Sequence, residues 1–125
     1  MGKVVRCSIV IYDDFNNVLI AERGKKVDKI WGLFGKEMKG KETEDKCICK
    51  AIDKELKCTI FDLEPFKEYK LGETEETLKV FKGTVKEYMT CHRNINCIKW
   101  INKKEVSNYK FNDEDMKILE DFFNN

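Results

Sequence analysis

Apolar residues change their period part-way along this chain, and that change limits the fold more than any other feature. Ile48, Ile52 and Leu56 recur every fourth residue, with Ala51 beside them, which is the stripe of one helix face. The spacing predicts a helix over about 44–57. Thr43 stands where a capping hydroxyl is wanted, and Glu44 and Asp45 fall in the first turn, where the helix dipole favours acids. On either side the apolar residues are Val, Ile and aromatics in short runs. These runs predict strands at 4–12, 18–22, 59–69, 77–88 and 96–101. Asp13-Asp14-Phe15-Asn16-Asn17 has turn composition and predicts a hairpin between the first two strands. Residues 23–30 read as an exposed basic loop, and Trp31-Gly32-Leu33-Phe34-Gly35 as a compact apolar segment before the helix. After a helical turn at 103–107, Asn112 caps a terminal helix whose apolar residues are Met116, Leu119, Phe122 and Phe123.

Strands, one long helix, more strands and a terminal helix make a mixed α+β order. It does not alternate, so a doubly wound parallel sheet is not expected. No G-x-G-x-x-G or P-loop pattern occurs. The 125 residues suit one domain, spanning 1–125. Charge is balanced, with 24 basic against 23 acidic side chains, so bulk nucleic-acid binding is not expected. No apolar run approaches the ~20 residues of a membrane helix, and the N-terminal segment lacks a long apolar stretch. A cytoplasmic protein is the expectation. An isologous dimer is the commonest soluble assembly. Cys7, Cys47, Cys49, Cys58, Cys91 and Cys97 include no Cys-x-x-Cys pair, so free thiols are expected rather than disulfides or zinc. Cys47 and Cys49 should point to different faces of the helix. His92 is the sole histidine, so any mechanism that needs one must use it.

Trp31-Gly32-Leu33-x-Gly35, then Gly40-Lys41-Glu42-Thr43, then a helix, resembles the Nudix hydrolase family. The general family pattern is G-x5-E-x7-R-E-U-x-E-E-x-G-U, with U apolar. Aligned on Trp31 and Glu42, the opening glycine falls on Lys36 and the first glutamate is Glu42. The arginine falls on Lys50 and the next glutamate on Ala51, followed by Ile52. The paired glutamates fall on Lys54 and Glu55, and the late glycine on Lys57, before Cys58. Leu19 to Arg23 and Ile98-Lys99-Trp100-Ile101 also fit. A second register, on Lys54-Glu55-Leu56, would put Cys58 and Thr59 at the paired-acid positions and is rejected.

The resemblance implies a Nudix-type αβα sandwich, a mixed β-sheet flanked by helices. It implies a hydrolase of nucleoside triphosphates or nucleoside diphosphate-linked compounds, a small-molecule nucleotide as partner, and Mg²⁺ or Mn²⁺ as cofactor. Glu55 would be the catalytic metal ligand, with the Gly35 carbonyl beside it. Arg23 and Lys54 would meet substrate phosphates, and Glu42 and Lys50 would tie loop to helix. The metal face is thinned, however. Ala51 has no oxygen to offer, and Lys54 stands where a cation should sit. At ~4 Å and an effective dielectric of ~20, each unit-charge pair repels by about 4 kcal/mol. The alternative is a catalytically silent nucleotide- or phosphate-binding module, or an interaction protein on the same fold, with no cofactor.

Overall fold

The computed structural model describes residues 3–124, and the backbone alone of Lys26. Strand β1 (Lys3–Ile11) ends in five consecutive buried residues, the mark of a strand covered on both faces. It lies between β4 (Phe34–Glu37), antiparallel, and β6 (Glu76–Thr84), parallel. Strand β5 (Phe61–Lys70) closes that four-stranded mixed sheet in the order β4-β1-β6-β5. Its position at the edge accommodates Pro65, which has no N–H for a ladder. A three-stranded antiparallel sheet holds β3 (Ile30–Gly32), β2 (Val18–Arg23) and β7 (Ile95–Ile101), in that order.

The expected hairpin of the first two strands is therefore corrected. Asp13 does build the turn, its carboxylate accepting from Phe15 N–H at 2.9 Å and Asn17 N–H at 2.8 Å. Yet β1 and β2 belong to different sheets, linked by a single Tyr12–Val18 bridge. Both edges of β1 are already taken by β4 and β6, so the turn carries the chain between sheets. The segment 31–35 is likewise divided between β3 and β4. Strand β6 stops at Thr84 rather than running to residue 88.

Helix α1 (Glu44–Leu56) starts where its cap predicts, with Thr43 Oγ1 accepting from Lys46 N–H at 3.3 Å. Its buried face is Cys47, Ile48, Ala51, Ile52 and Leu56. Burying an Ile or Leu side chain of this kind contributes about 1.5–3 kcal/mol. Cys47 is buried and Cys49 exposed, and all six cysteines are free. One core cluster joins α1 to the sheet residues Ile9, Ile11, Phe34 and Phe81. A second joins Val10, Ile20, Leu78 and Val80 to α2 (Asp113–Phe123). The sheets are thus flanked by helices. In α2 the fully buried residue Ile118 joins Leu119, while Met116 and Phe122 are only half-buried, which moves the expected stripe. Among the described residues no helix is long and apolar enough to cross a membrane.

Helix α1 ends at Lys57, whose φ of 49° is left-handed, with its N–H on the Asp53 carbonyl at 3.1 Å. A side chain is disfavoured there and glycine is not. Lys57→Gly is expected to stabilise the protein by about 1 kcal/mol, read as a rise of a few degrees in the thermal unfolding midpoint.

Candidate functional site

The segment between β4 and α1 is organised around one carboxylate. Glu42 accepts from the Lys39 N–H at 2.9 Å and from Lys50 Nζ at 3.2 Å, and it also pairs with Lys36 Nζ. The Glu42 side chain is only 5% exposed. Lys50 is therefore placed on Glu42, but Lys36 encloses it more closely. Sequence reading missed Lys36 because the family pattern has a glycine at that position. The hydrogen bond from Lys36, with help from the Lys39 amide, holds the Glu42 carboxyl down to about 2. Burial works against the charge on Lys36, and the Glu42 hydrogen bond overcomes it, so its ammonium is held above the ordinary range.

A carboxyl whose folded pKa lies below its unfolded one adds stability above the unfolded value, and that contribution is lost as pH falls through the folded value. Here the window runs from about 4.5 down to about 2. The gap in unfolding midpoint between wild type and Glu42→Gln is expected to be full at pH 6 and to close across that window. Thermal scans at a series of pH values would measure it, and a constant gap would contradict the assignment.

Beside this scaffold lies a cleft of ≈ 340 Å³. Gly35 and Lys39 come from β4 and the turn after it, and Ala51, Lys54 and Glu55 from α1. His92 and Asn94 come from the loop before β7. That loop is held on the helix end. Thr90 N–H donates to the Leu56 carbonyl at 2.7 Å and His92 N–H to the Glu55 carbonyl at 2.8 Å. Both acceptors are terminal helix carbonyls that have no partner within the helix. Nothing in the local sequence of residues 90–94 announces this, because the bond is made by backbone.

Arg23 and Glu55, expected at a phosphate and a metal respectively, are paired with each other. Arg23 Nη2 lies 2.8 Å from Glu55 Oε2, and both side chains are largely enclosed. The guanidinium also donates to the Leu33 carbonyl at 3.2 Å and lies over the Phe34 ring, 5.4 Å from its centroid. Arg23 is thus a half-buried strand end rather than part of an exposed loop. A second cleft of ≈ 270 Å³, lined by both members of this pair, reaches Arg6, Ser8, Asn112 and Asp115, sharing Gly35, Lys36, Glu37 and Glu55 with the first. Asp115 accepts from Leu33 N–H at 3.2 Å, and burial pushes its carboxyl up. The sequence places it correctly in the first turn of α2, but its aim at β3 and β4 depends on helix packing. Trp31 packs edge-on against Tyr109, with centroids 5.0 Å apart.

The donor set does not match that of a hard divalent cation, which takes several oxygen ligands. Among the described residues no group of three or more His, Cys, Asp or Glu side chains could hold a metal ion. Glu55 already has a guanidinium on its carboxylate. Lys54 lines the same cleft, and Ala51 supplies no oxygen. Among the described residues neither Lys39 nor Lys54 has a carboxylate within 4.0 Å. The arrangement is better suited to receiving an anion.

No protein-family model and no curated protein sequence matches the chain. Solved structures do. A MutT structure from work on Aliivibrio salmonicida and Vibrio cholerae superposes with a TM-score of 0.82 at 11% identity, covering 98% of each chain. A MutT Nudix hydrolase from Burkholderia pseudomallei superposes at 0.78 with 15% identity, covering 96% of this chain and 97% of its own. The Nudix domain of Shewanella oneidensis NrtR, crystallised with ADP-ribose, superposes at 0.69 with 12% identity, covering 96% and 85%. With two sheets flanked by helices, a loop–helix element tied by Glu42, and these likenesses over nearly its full length, the chain has the Nudix fold.

Proposed function

We propose that this chain is a Nudix-family protein that binds a nucleoside diphosphate group in the cleft between α1, β4 and the 90–94 loop, with metal-assisted hydrolysis lost. The ligand is a nucleoside di- or triphosphate, or a nucleoside diphosphate joined to another group. One observation carries this reading. Glu55, the surviving motif acid of the helix, is ion-paired to Arg23 at 2.8 Å, while Lys39 and Lys54 line the same cleft with no carboxylate within 4.0 Å among the described residues, and Glu37 is the other acid of its lining. A phosphate entering there meets positive charge without needing a cation to screen it. The nucleoside then extends toward the second cleft, where Asp115, Asn112 and Ser8 offer polar groups for orientation. The ADP-ribose bound by the Shewanella oneidensis Nudix domain is a sensible first ligand to try.

A second reading keeps the hydrolase. The Gly35 backbone and Glu55 line one cleft, and Mg²⁺ in phosphate chemistry can be held by one or two carboxylates plus substrate oxygens. Release of phosphate or pyrophosphate from a nucleotide and nucleotide-sugar panel separates the two readings. It is run with Mg²⁺, with Mn²⁺ and with chelator, beside Glu55→Gln, while calorimetry follows binding. Binding without turnover is expected. Metal-dependent turnover that disappears in Glu55→Gln would establish the hydrolase instead.

A further inference from the structure

We infer that His92 and Lys54 grip the ligand's phosphates directly, so that binding needs no divalent ion and is weakened by one. The inference rests on the nucleotide-binding reading and adds how the phosphates are held. His92 stands in the 90–94 loop, and residues 89–99 include no acid that could join a metal shell. The histidine lines the cleft together with Lys54.

Its setting is more ordered than that of a surface loop residue. His92 N–H donates to the Glu55 carbonyl at 2.8 Å, and its carbonyl accepts from Ile95 N–H at 2.9 Å. Its ring Nδ1 accepts from Asn94 N–H at 3.2 Å. In a neutral imidazole, one nitrogen that accepts leaves the proton on the other. Nε2 therefore carries hydrogen. A protonated nitrogen has no lone pair for a metal ion, but it donates well to a phosphate oxygen. Two hydrogen bonds hold the residue's backbone and one holds the half-buried ring before any ligand arrives. Little ordering cost remains at binding. Lys54 supplies the full positive charge from the neighbouring helix face, and a cation on the phosphates would meet it at close range.

The test is calorimetric titration of ADP-ribose and of inorganic pyrophosphate, in chelator and then in Mg²⁺. It uses wild type, His92→Ala, His92→Gln and Lys54→Gln, each with its unfolding midpoint checked. Wild type should bind in chelator, and about three- to tenfold more weakly when Mg²⁺ saturates the ligand. His92→Ala should weaken binding about tenfold. His92→Gln should recover most of that, because its amide can donate from a similar position. Lys54→Gln should weaken binding and remove the penalty from Mg²⁺. Binding by wild type that strengthens with Mg²⁺, or that is unchanged in His92→Ala, would overturn this inference and leave the nucleotide-binding reading standing. No binding of either probe by folded wild type, in either condition, would overturn both.

Discussion

Gly35→Ala is expected to cost about 3 kcal/mol or more, enough to lower the unfolding midpoint by about 10 °C. A Cβ at this position would lie 2.2 Å from the Cys7 carbonyl oxygen and 2.8 Å from the Ser8 Cα. Both obstacles are backbone atoms of β1, the strand held between β4 and β6. Gly35 is paired with Ser8 in the β1–β4 register, and Ser8 Oγ donates to the neighbouring Phe34 carbonyl at 3.0 Å. Relief would require β4 to leave its ladder, so the glycine is required by close approach rather than by an unusual φ. Thermal unfolding followed by circular dichroism would measure the loss. A midpoint within about 2 °C of wild type would show that β4 can shift without cost, and the cleft wall it forms would then be adjustable.

The second large effect is a gain of metal response. Ala51→Glu and Lys54→Glu together would set two new carboxylates beside Glu55 on the cleft face of α1. Ala51 is only 2% exposed, so a carboxylate there is poorly hydrated. Without a cation the three acids repel, and the double variant should unfold below wild type in chelator. A divalent ion that binds the folded state alone stabilises it by about 2.7 kcal/mol at a hundred times its Kd. For a chain of this size that is a recovery of about 10 °C in millimolar Mn²⁺. Wild type should shift by less than about 1 °C, because Lys54 and the Arg23–Glu55 pair leave Glu37 as the one carboxylate of the cleft lining without an ion pair among the described residues, too few ligands for a divalent ion. A wild-type midpoint that rises as much as the variant's would refute that account of the donor set. A variant indifferent to Mn²⁺ would mean that the helix no longer aims these positions into one site.

Several features were legible along the chain. Thr43 as cap, the Ile48–Ile52–Leu56 stripe and the different faces taken by Cys47 and Cys49 follow from helix period and capping chemistry, which act within a few residues. The Glu42–Lys50 contact was legible from the resemblance, and the structure places the two at 3.2 Å. Lys36 was not, because its role at Glu42 comes from the position of β4 beside the turn. Arg23 and Glu55 were each legible as candidate site residues, but not as partners. They are 32 residues apart, and only a fold that places β2 and α1 around one core cluster brings them into contact. His92 is unremarkable by position, and it enters the cleft because its backbone completes the hydrogen bonding of the helix end.

The sequence by itself determined the two helices, five of the seven strands and the α+β order, because propensity, capping and apolar period are local, whereas the short strands β3 and β4 were read only as a loop and an apolar segment. The tertiary structure decided which strands pair. Composition could not separate β1 from β2, since both are short runs of mostly apolar, buried residues. The division into two sheets follows from the pairing of both β1 edges with β4 and β6, which leaves none for β2. It also decided the chemistry of the cleft. Charge on a side chain is a property of sequence, but whether that charge is spent on a neighbour depends on distance. Glu55 is neutralised by Arg23, Lys36 by Glu42, and Lys54 by no carboxylate among the described residues.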